Sequence, residues 1–377
     1  VRFSISRAAL IKPLQLVSGM VERKHQQPIL SNILIGVKSN LLSLIGTDLE
    51  MELVARVGEV SATQNGEFTV NAKKLVDICR VLPEDAVIDV ELEETKAIIR
   101  CQKTKFTLAT LSAYDFPRLQ EAVGSLEFSL PQSALTTLLE NTTFAMASQD
   151  VRLYMNGVYF IFDEVGIRAV ATDGHRLMTC LIPVKTGLTQ SFAVIMPRKS
   201  VVELQRLFAD EKTELGVVVS SNHMRFINHT YSLTTKLIDS KFPDYRLVLP
   251  SMASAQSFTI DRVKFSETLQ RVAALLSDKV KGARFVIQNQ LLQITAMNTD
   301  RDIAEEELAI DYEGNKTEIG FNVGYLQEYL AIIQSPLVKV SFTDADNSAL
   351  LEPCMDNQDV NQDSKQDNRY VIMPMKL

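Results

Sequence analysis

The sequence predicts an α+β protein built from three copies of one domain, each an antiparallel sheet carrying two helices. Two observations predict it. The first is a repeat near one third of the 377-residue length. Phe3-Ser4-Ile5, Phe128-Ser129-Leu130 and Phe258-Thr259-Ile260 open three segments spaced by 125 and 130 residues. Apolar residues stand seven positions past each Phe (Leu10, Leu135, Phe265) and eleven past it (Leu14, Leu139, Leu269). A Thr-Asp pair follows at 44, 44 and 41 residues: Thr47-Asp48, Thr172-Asp173 and Thr299-Asp300. The second observation is that each copy reads twice as a short strand, an amphipathic helix and alternating strands. The copies are expected at 1–123, 124–252 and 253–377, an ordinary domain size.

Each element has a local reason. Phe3-Ser-Ile leads into a helix over Arg7–Val21, where Leu10, Leu14 and Val17 fall on one face. Pro13 lies inside that helix and is expected to bend or break it. Strands follow at Ile33–Val37, Leu41–Thr47 and Glu50–Val57. Phe68-Thr-Val then leads into a second helix, Ala72–Val81, with Leu75, Ile78, Cys79 and Leu82 as its apolar stripe. Strands at Ala86–Leu92, Ala97–Gln102 and Lys105–Leu111 complete the copy, so that each copy holds roughly eight strands. The later copies place helices near 132–147, 197–208, 262–276 and 323–333. Pro353–Arg369 is Asp/Asn/Gln-rich and reads as a polar loop before an apolar terminal strand.

Composition excludes several classes. No apolar run is long enough to span a membrane, and the N-terminal residues lack the apolar stretch of a secretory leader. Four scattered Cys without a Cys-x-x-Cys pair fit a reduced, cytoplasmic protein rather than a disulfide framework or zinc site. The net charge of -7 hides a segregation: the six helical segments carry +8, leaving -15 on the rest of the chain. That split points to a basic helical surface facing polyphosphate, against the plainer reading that Lys and Arg favour helices while Asp collects in loops.

Catalytic chemistry is poorly represented. None of the four His belongs to a His-Glu-x-x-His or His/Cys metal pattern, and the phosphate-loop, dinucleotide and nucleophile-elbow motifs are missing. Asp173 and His175 invite an acid/base reading, but the matching turns of the other copies hold no His. Asp344, Asp346 and Glu305-Glu306-Glu307 fit a solvated or partner-facing acidic face better than a metal site. No catalytic residue, cofactor or metal is expected.

Taken together, the triplication, Gly46-Thr47-Asp48-Leu49-Glu50-Met51-Glu52, Ala171-Thr172-Asp173-Gly174-His175-Arg176-Leu177, Phe242-Pro243-Asp244-Tyr245-Arg246 and Met373-Pro374-Met375-Lys376-Leu377 resemble the bacterial sliding clamps, the beta subunits of DNA polymerase III. The resemblance covers essentially the whole chain. It implies the DNA clamp fold, with two three-domain subunits closing head-to-tail into a ring around duplex DNA, helices inside and sheets outside. It implies a non-enzymatic processivity factor that slides without reading sequence and tethers the polymerase III catalytic subunit, the clamp loader and other proteins bearing a clamp-binding motif, with no membrane partner.

The resemblance also implies three sets of residues. Lys24, Lys73, Gln149 and Tyr154 match DNA-contacting positions, and Arg198 joins them on charge and repeat position. Met155, Thr172, Gly174, His175, Arg176, Leu177, Pro243, Val248, Ser348, Val371, Met373, Pro374 and Met375 match an apolar pocket for short partner peptides. Met suits a groove that must adapt to several ligands, Gly174 lets a backbone approach, and His175 and Arg176 are expected on a polar rim. Lys103, Lys105 and Phe106 on one seam, and Leu275, Leu276, Glu305, Glu306 and Glu307 on the other, match the homodimer interface, where edge strands of opposite charge meet. The competing readings are a repeat-built protein-interaction scaffold that never touches DNA, and a hydrolase centred on Asp173 and His175.

Overall fold

The computed structural model describes residues 1–21, 27–119, 126–188, 190–208, 213–251, 254–277, 281–355 and 367–376. Six helices lie in these segments: α1 (Arg7–Gly19), α2 (Ala72–Val81), α3 (Gln132–Thr142), α4 (Arg198–Leu207), α5 (Arg262–Ala273) and α6 (Val323–Ile332). Each helix follows a strand directly and is followed by a three-stranded meander, so each of three repeats runs twice through strand, helix and meander, the first repeat adding one short strand after its first meander. Four helices begin on a side-chain cap. Ser6, Asn71, Asp261 and Asn322 accept the N–H of the residue three positions on, at 3.2, 3.0, 2.9 and 3.3 Å.

The Thr-Asp pair of the first two copies proves to be one turn built twice, while in the third copy Met297-Asn298 takes its place and Thr299-Asp300 lies further along a longer turn. Thr47 Oγ1 donates to the Met51 carbonyl at 2.7 Å, and Asp48 Oδ1 accepts the N–H groups of Glu50 and Met51. Thr172 Oγ1 donates to the Arg176 carbonyl at 2.6 Å, and Asp173 Oδ1 accepts from His175 and Arg176. The residue after each Asp is left-handed: Leu49 at φ 73°, Gly174 at 88° and Arg301 at 67°. In the third copy Asn298 Oδ1, rather than Asp300, accepts the turn N–H groups.

By contacts, the chain divides into two compact units, Val1–Gln132 with Val202–Leu237, and Ser133–Val201 with Ile238–Leu377. The central repeat is shared between them for a reason visible in the hydrogen bonding. Its Tyr231–Lys236 strand pairs with Met51–Val57 of the first repeat, Leu233 opposite Leu53. Its Arg176–Ile182 strand pairs with Asp367–Ile372 of the third, Leu177 opposite Val371. The first unit is thereby one thirteen-stranded sheet, and the second holds an eight-stranded and a four-stranded sheet.

Several expectations are corrected. Helix α1 runs through Pro13 without interruption, because Pro13 itself is buried beside Leu10, Leu14 and Val17 and the packed face outweighs the lost hydrogen bond. On α2 the buried stripe uses Val76 where Ile78 was expected. Helix α3 stops at Thr142, short of 147: Thr137, Asn141 and Thr142 bond back to carbonyls four residues earlier, and a 3₁₀ turn follows over Thr143–Ala145. The exposed strand Ser61–Gln64 has no apolar alternation and escaped the pattern, giving the first domain a ninth strand. The polar 353–369 stretch is strand at both ends, Pro353 opposite Val338 and Asn368 opposite Cys180; its residues 356–366 lie outside the described residues. Among the described residues no helix is long and apolar enough to cross a membrane.

Candidate nucleic-acid, peptide and subunit interfaces

In the first unit α1 and α2 pack side by side and leave a groove of about 520 Å³ lined by Ser18, Gly19, Lys73, Asp77, Arg80 and Arg206. Lys73 is exposed and pairs with Asp77 one turn on at 2.5 Å, and its ammonium holds the Asp77 carboxyl below the usual carboxylate range. Arg206 lies over Gly19, where an added Cβ would stand 2.7 Å from its guanidinium. Lys24 lies outside the described residues.

Not all helical charge is available to a ligand. Arg7 donates from Nε to the Cys79 carbonyl at 2.7 Å, and Arg262 donates to the carbonyls of Ser335 and Leu330 at 3.0 and 3.3 Å. Both cations open the first helix of their repeat and satisfy the carbonyl end of the second. Part of the +8 is therefore structural. Arg198, in the second unit, is likewise half-buried and donates to the Met146 carbonyl at 3.1 Å. Gln149 is exposed in the same loop, at φ 60°.

The second unit also carries an apolar cluster with exposed apolar residues in the same segments. Val170, Leu177, Ile195, Phe242, Leu350 and Val371 form a buried cluster, with Tyr154, Tyr159, Tyr245 and Leu249 packed against it. Phe242 stacks on Tyr159 at a centroid distance of 4.4 Å and meets Tyr154 edge-on at 5.6 Å. The chain segments that carry this cluster also hold apolar side chains that stay in solvent: Leu153 is 60% exposed, Leu247 83%, Val248 39%, Met373 41% and Met375 38%. Pro243 is exposed, Pro374 half-exposed and Met155 buried.

The backbone of these segments is pinned. The Met373 N–H donates to the His175 carbonyl at 2.9 Å, and the Met375 N–H to the Gly320 carbonyl at 2.7 Å. Ser348 Oγ donates to the Val248 carbonyl at 2.9 Å. Gly174 brings the turn against Arg152: an added Cβ would stand 2.9 Å from that guanidinium. Arg152 in turn grips Asp150 with two hydrogen bonds of 2.9 Å, holding the Asp150 carboxyl down to about 2. The terminal residues are thus fixed in backbone while their Met side chains remain available.

Two readings of this turn change. Arg176 is not a rim residue. It is buried, donating from Nε to Asp173 Oδ2 at 3.0 Å, from Nη1 to Glu328 Oε2 at 2.7 Å and from Nη2 to the Phe144 carbonyl at 2.7 Å. Its guanidinium also lies 4.2 Å from the Tyr325 ring centroid and 5.2 Å from that of Phe144. A cation this far from water needs full pairing, and it joins the turn to α6. The acid/base reading likewise loses its acid, since the Asp173 carboxylate is committed to two backbone N–H groups and Arg176 while His175 is exposed. Among the described residues no group of three or more His, Cys, Asp or Glu could hold a metal ion.

Sequence reasoning missed Tyr159, Phe242, Leu350 and Leu249 as members of this apolar cluster, and did not foresee that Tyr154 packs there. The recurrence of Phe116-Pro117 as Phe242-Pro243 was the available signal.

Among the described residues, two of the open strand edges carry the expected seam residues. Thr104–Leu111 pairs with Lys96–Cys101 along its length, but on its other side only Thr110 and Leu111 find a partner strand. Lys103 and Lys105 are exposed beside that edge and Phe106 is half-buried. Ile303–Ala309 is the outermost strand of its four-stranded sheet. Glu305 and Glu307 are exposed on it, while Arg271 binds Glu306 at 2.6 and 3.1 Å and holds its carboxyl below the usual range. Leu275 and Leu276 are half-buried just past α5.

The three family models for DNA polymerase III beta subunits match in order: the N-terminal domain over residues 1–120, the central domain over 129–244 and the C-terminal domain over 246–376. The beta sliding clamp of Pseudomonas aeruginosa is 44% identical over 375 residues, and that of Escherichia coli K12 41% over 377, each match covering both chains completely. The crystal structure of the P. aeruginosa DNA polymerase III subunit beta superposes with a TM-score of 0.92 at 43% identity over all of both chains. The repeated turn, the shared central repeat and these full-length matches agree, and the chain belongs to the beta sliding clamps, the DNA polymerase III beta subunit family.

Proposed function

We propose that this chain, a non-catalytic processivity factor of DNA polymerase III, closes as a homodimer around duplex DNA and tethers its partners through the apolar cleft. The observation that carries the tethering role is the pinned C-terminal segment: Met373 and Met375 stay 41% and 38% exposed beside a buried floor of Leu177, Phe242 and Val371. Such a surface takes the apolar side chains of short peptides from the polymerase catalytic subunit, the clamp loader and other clamp-binding proteins.

The DNA role rests on cations that offer charge without base contacts. Lys73 and Lys24 would meet the phosphates of duplex DNA of any sequence, with Gln149 as an uncharged contact, whereas Arg198 is tied to the Met146 carbonyl and Tyr154 packs on Phe242. The arrangement supports Lys73 most directly, because its ion pair is exposed and easily exchanged. The homodimer is supported by two open edges of opposite charge, basic at Lys103 and Lys105 and acidic at Glu305 and Glu307, whose pairing would extend a sheet across subunits. We place the three domains at 1–123, 124–252 and 253–377.

The test is retention on nicked circular DNA after loading, followed by linearisation. A ring is retained on the circle and lost from the cut molecule, whereas an electrostatic binder stays on both. Deleting residues 373–377 should abolish capture of the polymerase catalytic subunit while sedimentation still shows a dimer. Undiminished peptide affinity after that deletion rules out the cleft.

A further inference from the structure

An asparagine or aspartate followed by glycine is poised to close a ring on the next backbone nitrogen, because glycine has no side chain to shield that nitrogen. The chain contains three such pairs: Asn65-Gly66, Asn156-Gly157 and Asp173-Gly174. The fold holds two of them shut. Asn156 Oδ1 accepts the Asp150 N–H at 2.9 Å, and its Nδ2 donates to the Asp150 carbonyl at 2.8 Å. The carbonyl of the Asn156–Gly157 peptide also accepts the Arg198 N–H at 2.9 Å. The Asp173 carboxylate is committed to the His175 and Arg176 N–H groups and to the Arg176 guanidinium. In both pairs several hydrogen bonds must break before the side-chain carbon can swing onto the next nitrogen.

Asn65 stands apart. It is exposed in the turn between the strands Ser61–Gln64 and Gly66–Asn71. Among the described residues its side chain makes a single hydrogen bond, Oδ1 accepting the Ser39 N–H at 3.3 Å, so Nδ2 has no protein partner. A donor on Oδ1 stabilises the negative charge that gathers there when Cγ is attacked. The glycine is required by the fold: Gly66 takes φ 146°, and an added Cβ would stand 2.6 Å from Val1. The reactive pair is therefore built into the turn, with little to restrain the amide.

We propose that Asn65 is a modification site, deamidating spontaneously through a cyclic succinimide. The Gly66 nitrogen forms a bond to Asn65 Cγ as the Cγ–Nδ2 bond breaks. The proton lost by that nitrogen ends on Nδ2, which leaves as ammonia. Water then opens the imide at either carbonyl, giving aspartate or isoaspartate at position 65. Both products add a negative charge to the turn, and isoaspartate also inserts the side-chain Cβ into the main chain between Ser61–Gln64 and Gly66–Asn71. The site uses none of the residues in the DNA, peptide and subunit roles proposed above, and its test relies on none of them.

The full-length chain is incubated at mildly alkaline pH, both folded and in urea, then digested and mapped by mass spectrometry against an unincubated sample. In the folded chain the peptide holding Asn65 should convert at least about tenfold faster than the peptide holding Asn156, as for two side-chain hydrogen bonds that must open first. In urea, where those bonds are gone, the two should convert at similar rates. The Asn65 product should separate into two species of equal mass, one of them co-eluting with the same peptide from Asn65→Asp. Its rate should rise with pH, because the Gly66 nitrogen must lose its proton. The peptide holding Asp173 should give no isoaspartate while the chain is folded. An intact Asn65 in the folded chain, Asn156 keeping pace with it there, an equal gap between the two in urea, or aspartate as the sole product overturns the proposal.

Discussion

Replacing Arg176 by Met tests whether this residue lines the peptide pocket or acts as a buried tie. Met nearly fills the aliphatic volume, so the change removes charge and hydrogen bonds with little cavity. Removing one partner of a buried ion pair costs about 3–5 kcal/mol. The structure places this case at the lower end, because Asp173 keeps two backbone N–H donors at 3.0 and 3.1 Å. Glu328 is 51% exposed and is rehydrated, so its bond adds under about 1 kcal/mol. Losing the cation over the Tyr325 and Phe144 rings costs about another 1 kcal/mol. The expected loss is about 4–5 kcal/mol, or roughly 8–20 °C in Tm for a unit of this size. Chemical denaturation of Arg176→Met beside Glu328→Gln measures it, the second variant losing under about 1 kcal/mol. An Arg176→Met protein within about 1 kcal/mol of the parent that has lost peptide affinity would refute the buried-tie reading and restore the residue to the rim.

Further expectations concern the same turn and the basic groove. Gly174→Ala must hold a side chain at φ 88° and displace the Arg152 guanidinium, costing about 1–2 kcal/mol in a denaturation curve. The Asp150 carboxyl, held to about 2 by Arg152, should titrate there by carbon NMR, and Arg152→Ala should return it to the ordinary range. Because its folded value is depressed, the stabilisation from this pair is present above the ordinary carboxylate range and is lost as pH falls towards 2. Charge reversal by Lys24→Glu with Lys73→Glu should weaken low-salt DNA association and loading, without changing the dimer in sedimentation. The same variant should flatten the salt dependence of binding by about one unit for each phosphate it no longer neutralises.

Local signals carried most of the secondary structure. The apolar spacings of α1 and α2 and the alternation of Thr104–Leu111 are properties of neighbouring residues, and they placed those elements to within a few positions. Where local reading erred, a longer-range term had won. Pro13 is retained because its helix face is packed, and α3 ends early because Thr and Asn side chains compete for its carbonyls. Of the cleft, the Thr172–Arg176 turn and the terminal Met residues were legible as short motifs. Phe242, Tyr159 and Leu350 were not, because each lies on a different strand or loop and reads locally as ordinary core.

By itself the sequence determined the threefold repeat, its two helices per copy and the segregation of basic residues onto helical segments. Those are matters of period and composition, written within a few turns or strands. Only the tertiary structure decided what the charges and apolar residues do. It committed Arg7 and Arg262 to helix ends and Arg176 to a buried network. It also left the edges at Thr104–Ala109 and Ile303–Ala309 open. Cross-strand register is the physical reason: Leu177 faces Val371 across 194 residues of chain and Glu52 faces Thr234 across 182, so one repeated frame carries an apolar row in one unit and a polar row in the other.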